Sequence, residues 1–224
     1  MIPEPLIKIF ITALPIIIAI TFHEAAHGFV AYLRGDDTAY RLGRVSFNPI
    51  KHIDPVGTVL IPGILLLSQA PFLFGYAKPV PVAFERLKSP RMDTILVAAA
   101  GPLTNIFLAL VSALIFKHLY SPDTLNPYLS ELLKTSLYMN VVLAVFNLMP
   151  ILPLDGGRIV VALLPQRFAQ QITGLERWSM AILVGGLMIL PLILNSLGFH
   201  FSPLSWLLEA PFKWLLKGIE FIVM

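Results

Sequence analysis

Thr21-Phe22-His23-Glu24-Ala25-Ala26-His27 stands inside an apolar run that extends from Leu6 to Leu33. Three ionisable side chains within a hydrophobic helix are costly in lipid, so each requires a partner or a chemical task. At helical pitch His23 and His27 lie one turn apart on one face, and their rings can converge on one ion. That is the spacing of a zinc site in which the intervening Glu24 handles the proton of a metal-activated water. The helix has almost no other polar residues, which separates it from a chance match on a solvated surface helix.

The composition around this stretch is that of an integral membrane protein. Of 224 residues 57% are hydrophobic and 13% charged, whereas a soluble domain carries about a quarter charged residues. Mean hydropathy is +0.80. One core domain accounts for the length. The net charge of +3 comes mostly from basic loop residues, which reads as membrane orientation and headgroup contact rather than nucleic-acid binding. There is no Cys, so disulfides, thiolate ligands and a Cys nucleophile are excluded. Met1-Ile2-Pro3-Glu4-Pro5 lacks a basic lead-in, and the first apolar run is too long for a signal peptide. The motif-bearing helix is therefore expected in the mature protein.

Outward from the motif, Leu6–Leu33 would be roughly 42 Å long as a helix, against a hydrocarbon core of about 30 Å. It must tilt or protrude, and Pro15 can kink it. Arg41-Leu42-Gly43-Arg44-Val45-Ser46-Phe47 alternates loosely and suits a short strand. A second apolar stretch, residues 56–74, is interrupted by Gly57, Pro62, Gly63, Gln69 and Pro71. Tyr76-Ala77-Lys78-Pro79-Val80-Pro81-Val82 reads as an extended strand at a sheet edge. Pro79 and Pro81 lack N–H groups and share one edge; Lys78, Val80 and Val82 keep both backbone groups on the other. Residues 92–119, 132–148 and 179–197 are further membrane helices. Residues 203–224 are a final span or an interfacial helix. The expected fold is an all-α, multi-pass membrane protein with about five or six membrane helices, a small membrane-associated β segment and a re-entrant stretch.

Residues 56–74 could span, or dip in and return; charge favours the return. If the first helix runs inward, Arg34, Arg41, Arg44, Lys51, Lys78, Arg86, Lys88 and Arg91 all face the cytoplasm only when 56–74 dips and returns. The Lys- and Arg-free loop 121–130 is then external, and Asp155 arrives on the same side of the membrane as His23 and His27. Two His ligands leave zinc in need of a third protein ligand plus water. Asp155 is the best candidate, because it follows a proline-broken segment at the right depth. His52 and Asp54 are competing ligands; His118 and His200, at apparent membrane edges, are most simply solvated.

Three motifs carry a resemblance: His23-Glu24-Ala25-Ala26-His27; Gly101-Pro102-Leu103-Thr104-Asn105; and Asn147-x-x-Pro150-x-x-Pro153-Leu154-Asp155-Gly156-Gly157-Arg158. In this order, on three helices, they resemble the signatures of the site-2 protease family of intramembrane zinc metalloproteases. Without a PDZ or CBS domain, the chain is similar to the minimal form: a single domain over 1–224, with a core about 6–165 and C-terminal helices about 166–224. The last motif has one more residue between its prolines than the commonest family spacing.

The resemblance implies one zinc per chain on His23, His27 and Asp155, with Glu24 as catalytic base. It puts Asn105 and Asn147 near the active site, where their amides could hold the oxyanion or substrate backbone. For Asn105, interhelical hydrogen bonding is an equal alternative. A helical substrate must unwind before attack, and the edge around Lys78, Val80 and Val82 could pair with the unwound strand. The expected activity is endopeptidase cleavage of transmembrane segments, in regulated intramembrane proteolysis, at the cell membrane with the site toward the cytoplasm. The partners are a transmembrane substrate and the bilayer. Rival readings are a metal transporter or metal-binding membrane protein, and a membrane zinc enzyme acting on a lipidated substrate. A transporter gives no reason for Glu24 between the ligands.

Overall fold

The computed structural model describes residues 3–67, 75–119, 126–174, 176–198 and 203–223. Helix α1 (Glu4–Leu33) starts after Pro3, the residue at its N-cap, and ends where Gly35 takes a positive φ of 109°. Helices α2 (Thr38–Arg41) and α3 (Ile61–Leu67) are short, the latter continuing a π-helical turn, Pro55–Leu60. Two long helices follow, α4 (Pro90–Leu119) and α5 (Pro127–Asn147). The remainder is α6 (Asp155–Leu163), α7 (Gln166–Thr173), α8 (Glu176–Val184), α9 (Leu190–Ser196) and α10 (Pro203–Val223).

Helices α1, α4 and α5 pack on one another and form the frame of the site. Their contact faces use small residues. Ala19, Ala25 and Ala31 on α1 and Ala98, Gly101, Ala109 and Ala113 on α4 are buried. In lipid no hydrophobic force drives helices together, so close approach of small residues supplies the contact. Leu6, Ile9, Phe10, Ile17 and Phe29 on α1, and Leu103 and Phe107 on α4, point outward. These belong to a lipid-facing surface. Three of the described helices, Leu6–Leu33, Pro90–Leu119 and Pro127–Asn147, are long and apolar enough to cross a membrane.

The expected count of five or six membrane helices has a physical complication at the C-terminal end. Stretch 179–197 is helical but broken by a π-helical turn at Gly185–Ile189, and α10 carries Glu209, Lys213, Lys217 and Glu220. The 132–148 helix starts five residues earlier than expected, behind Asn126, whose side chain accepts from the Tyr128 N–H.

The expected strands are absent among the described residues. In place of a 41–47 strand there is the α2 turn, then Gly43 at φ 63°. The Tyr76–Val82 stretch is non-helical, but no second strand lies beside it. Its backbone is held by scattered partners instead. Tyr76 N–H donates to Gly57 C=O (3.0 Å), and the Thr58 hydroxyl to Tyr76 C=O (2.9 Å). Lys78 N–H donates to His52 C=O (2.9 Å), and Arg44 Nη2 to Lys78 C=O (2.7 Å). A ladder needs a facing chain, and here side chains and turns have taken that place. Gly57 permits this: a Cβ there would lie 2.4 Å from the Tyr76 ring.

These contacts bring the chain back to where it left. Residue 76 lies against residue 57, while 68–74 fall outside the described residues. Farther out, Lys88 N–H donates to Arg34 C=O (3.1 Å), and Arg34 Nε to Asp93 Oδ1 (2.6 Å). The excursion from 34 to 91 thus begins and ends at one end of the helix frame. Asp36, fully buried, ties it down: Oδ1 accepts from the Thr38 N–H (3.0 Å) and hydroxyl, and Oδ2 from Ala83 N–H (2.7 Å). Burial pushes this carboxyl up, but the Thr38 hydroxyl, the two N–H donors and nearby Arg86 more than reverse it and hold it below the usual carboxylate range.

Candidate metal centre

His23 and His27 occupy successive turns of α1, both buried. His23 Nδ1–H donates to Asn105 Oδ1 (2.6 Å), and His27 Nδ1–H donates to the Val97 carbonyl (2.7 Å). A neutral imidazole that donates from Nδ1 carries a bare lone pair on Nε2. The two Nε2 atoms face each other at 3.0 Å. Asp155 Oδ2 closes the triangle, 3.2 Å from His23 Nε2 and 3.4 Å from His27 Nε2.

With both imidazoles neutral, three lone pairs therefore converge, and Asp155 Oδ2 is buried with no donor other than a ring that takes up a proton. Such an arrangement is repulsive unless a proton or a metal ion neutralises it. Ligands of a tetrahedral zinc with bonds near 2.0–2.1 Å lie about 3.3 Å apart, close to the distances found. His23, His27 and Asp155 are a group that could hold a metal ion. They supply two nitrogens and one carboxylate, a donor set that suits zinc with one position left open.

Glycine makes the convergence sterically feasible at two places. A Cβ on Gly101 would lie 2.5 Å from both His23 Cε1 and His27 Nε2, so α4 can approach the rings only with no side chain there. Four residues on, the same helix face brings Asn105 to His23. The Gly101-Pro102-x-x-Asn105 motif is thus one device, a slot for the rings followed by a tether for one of them. On the other side, a Cβ on Gly156 would meet Leu148 O at 2.2 Å, and one on Gly157 the Ile151 carbonyl carbon at 2.5 Å. The glycine pair lets α6 start against the broken segment behind it, with Asp155 in its first turn.

Glu24 faces a cavity of about 180 Å³ together with His23, Tyr76, Ala77, Asn147 and Leu183. Its Oε2 accepts the Val80 N–H at 2.8 Å. Asn147, which also lines this cavity, donates from Nδ2 to the Leu143 carbonyl of its own helix (3.0 Å). A larger cavity of about 550 Å³, lined by Phe116, Lys117, Lys134 and Glu220, lies elsewhere between α4, α5 and α10.

The remaining residues singled out from the sequence are placed as follows. Asn105 turns both ends of its amide into the helix frame, Oδ1 to His23 and Nδ2 to Asn140 (2.9 Å) and Ala19 C=O (3.3 Å). The backbone of Lys78 and Val80, expected at a free edge, is engaged by His52, Arg44 and Glu24. Val82 packs against Ala31, Leu87 and Val97. His52 Nε2–H donates to Ser46 C=O (2.8 Å), and Asp54 Oδ1 caps the 55–60 turn through the Val56 and Gly57 N–H groups. Neither belongs to the His23–His27–Asp155 group. His118 closes α4, and His200 lies outside the described residues. Sequence reading missed Asn140 and the Val97 carbonyl. Asn140 had one signal: it precedes Asn147 by seven residues, which puts the two on one helix face.

Residues 118–192 match the model of Peptidase family M50. That stretch holds Asn147 and Asp155 but not the His23–His27 helix. The chain is 39% identical over 172 residues to YwhC of Bacillus subtilis (strain 168), a protein whose name provisionally assigns it as a zinc metalloprotease. The match covers 75% of each chain. A shorter match, 32% identical over 81 residues, covers 36% of this chain and 23% of the zinc metalloprotease MJ0392 of Methanocaldococcus jannaschii. No solved structure matches.

Proposed function

This chain belongs to peptidase family M50, the site-2 protease family, and is a zinc metalloprotease of the membrane; from that premise we propose that it hydrolyses peptide bonds within or near transmembrane segments of other membrane proteins, in regulated intramembrane proteolysis. One observation carries the reading. His23, Glu24 and His27 lie on a helix long and apolar enough to cross a bilayer, so the bond to be cut must come to them at membrane depth.

His23, His27 and Asp155 would hold one zinc per chain. Once bound, zinc would supply a Lewis acid that polarises the scissile carbonyl and acidifies a water toward a pKa of about 7. Glu24 takes the proton of the attacking water and returns it to the leaving amine. The Val80 N–H, donating to Glu24 Oε2, fixes the direction in which the carboxylate faces. Asn147, beside Glu24 on the cavity wall, holds the substrate backbone or the oxyanion. A helical substrate hides its amides in its own ladder, so it unwinds before Glu24 and the cavity can act on it. Leu183 and Tyr76 on the same wall accept its apolar side chains.

The test is cleavage in liposomes of single-span substrates whose cut is mapped by mass spectrometry. Zinc chelation should stop cleavage and added zinc restore it. Cuts confined to soluble loops, or cleavage indifferent to chelation, would overturn the reading.

The same proposal covers architecture. The chain 1–224 acts as one domain, with a core about 6–165 and C-terminal helices about 166–224, of which 179–197 and the tail 203–224 serve as a movable wall. It is a multi-pass protein of the cell membrane; 56–74 dips in and returns, and the site opens toward the cytoplasm. The return of residue 76 to residue 57, and the tie of Arg34 to Asp93, support this topology. Single cysteines at positions 40 and 88 should both react with a membrane-impermeant thiol reagent from the cytoplasmic side. Reaction from opposite sides would exclude re-entrance.

A further inference from the structure

The His23 ring is useful to a metal only as one tautomer, with the proton on Nδ1 and the lone pair on Nε2. In solution the opposite tautomer of imidazole is readily available, so something must select. Asn105 makes the selection: its Oδ1 faces Nδ1 at 2.6 Å and can only accept. An amide, however, presents oxygen and nitrogen in nearly the same shape. Turned over, Asn105 would offer Nδ2, and His23 would have to carry its proton on Nε2, between the would-be ligands.

What holds Asn105 the right way round lies one helix farther away. Asn105 Nδ2 donates to Asn140 Oδ1 at 2.9 Å, with Ala19 C=O a longer second acceptor at 3.3 Å. Asn140 could itself be turned over, but its Nδ2 donates to the Ser136 carbonyl at 2.9 Å. A carbonyl has no proton to give, so the direction of every bond back to His23 is set. Beyond Asn140 the chain continues consistently: Ser136 and Ser112 share a hydroxyl bond (2.8 Å), and Ser112 Oγ–H donates to Leu108 C=O (2.8 Å). Asn105 and Asn140 are 0% and 1% exposed, so no solvent competes and a reversed amide would bury an unpaired donor and acceptor.

On the reading that His23 is a metal ligand, we propose that Asn140 on α5 is a positioning residue: through Asn105 it fixes the tautomer and ring orientation of His23, although it touches neither the ligands nor the cavity. Outer partners that orient a ligating histidine typically change metal affinity 10–100-fold when removed. Asn140 is one bond farther out, and Ala19 remains as a partial substitute, so the loss is about tenfold.

The experiment uses full-length protein in micelles, with 15N-labelled histidine. In metal-free wild type the His23 signal should show Nδ1 protonated and Nε2 bare. Asn140→Leu should mix or reverse that pattern and weaken Zn2+ binding about tenfold, measured by competition with a chelating dye. Asn140→Asp, in its neutral form, keeps an acceptor for Asn105 Nδ2 and an O–H for the Ser136 carbonyl and should keep the wild-type pattern; Asn140→Ala, which removes the same acceptor, replaces the leucine variant if that does not fold. A wild-type pattern in Asn140→Leu, or a reversed one in Asn140→Asp, overturns the proposal. Simple helix–helix glue would lower stability in Asn140→Leu and leave the tautomer unmoved. Wild-type protein that binds no zinc would instead sink the metal-centre reading, while the metal-free spectra still decide Asn140.

Discussion

Glu24→Gln should leave zinc in place and remove cleavage. Gln has the shape of Glu and keeps an oxygen for the Val80 N–H, which now reaches Glu24 Oε2 at 2.8 Å. The α1 backbone, the two imidazoles and Asp155 are untouched, so metal content should stay near one per chain. What disappears is a group able to take a proton from water and give it back to the departing amine. General acid–base catalysis contributes typically 10²–10⁴-fold, and a fall in kcat of that order is expected. KM should move little, because Glu24 contributes only one wall of the cavity. The measurement pairs zinc content with turnover of a membrane-spanning substrate. Undiminished turnover at full zinc occupancy would remove Glu24 from the mechanism. Loss of zinc together with turnover would reassign it to holding the site together.

The legible parts of this protein are those governed by local period and by sidedness. His23 and His27 are four residues apart on a helix, and four residues on any α-helix share a face. No tertiary knowledge is needed to bring their rings together. Asp155 was reachable by a different route: if the basic loops share one side, the helix ends on that side follow, and the proline-broken segment is expected on the side of the histidines. The structure brings Asp155 Oδ2 to within 3.4 Å of both rings.

The illegible parts depend on partners far away in sequence. Whether Tyr76–Val82 forms a strand is decided by the presence of another strand, and alternation within the segment carries no information about that. Here the partners are a helix glutamate, an arginine, a threonine hydroxyl and two turn carbonyls. The role of Asn105 turned on the rotation of α4 about its axis. A phase that exposes Gly101 to the rings also carries Asn105 to His23, away from the cavity where an oxyanion would sit. The motif announced that both residues mattered without stating which way they face. The Val97 carbonyl that tethers His27 is backbone, and no side-chain pattern can announce it.

Asp155→Ala should abolish zinc binding and, in the metal-free protein, change stability little. The two effects have separate causes. Without a metal, Asp155 Oδ2 can be paired only by an imidazole that takes up a proton, 3.2–3.4 Å away. Once the carboxylate is gone that imidazole returns to its neutral form, so no unpaired charge is left behind and the metal-free protein changes little. With zinc, the same oxygen completes the donor set, and its loss leaves two nitrogens that cannot close a site. Affinity should fall by more than about 100-fold, the upper end for residues that only support a ligand. Thermal denaturation in detergent, with and without zinc, separates these contributions. Zinc at 100 times its Kd stabilises a folded protein by about 2.7 kcal/mol, so wild type should show a clear zinc-dependent rise in Tm. The variant should start near the metal-free wild-type Tm and show no rise. A zinc-dependent shift of wild-type size in Asp155→Ala would mean that the third ligand is another residue.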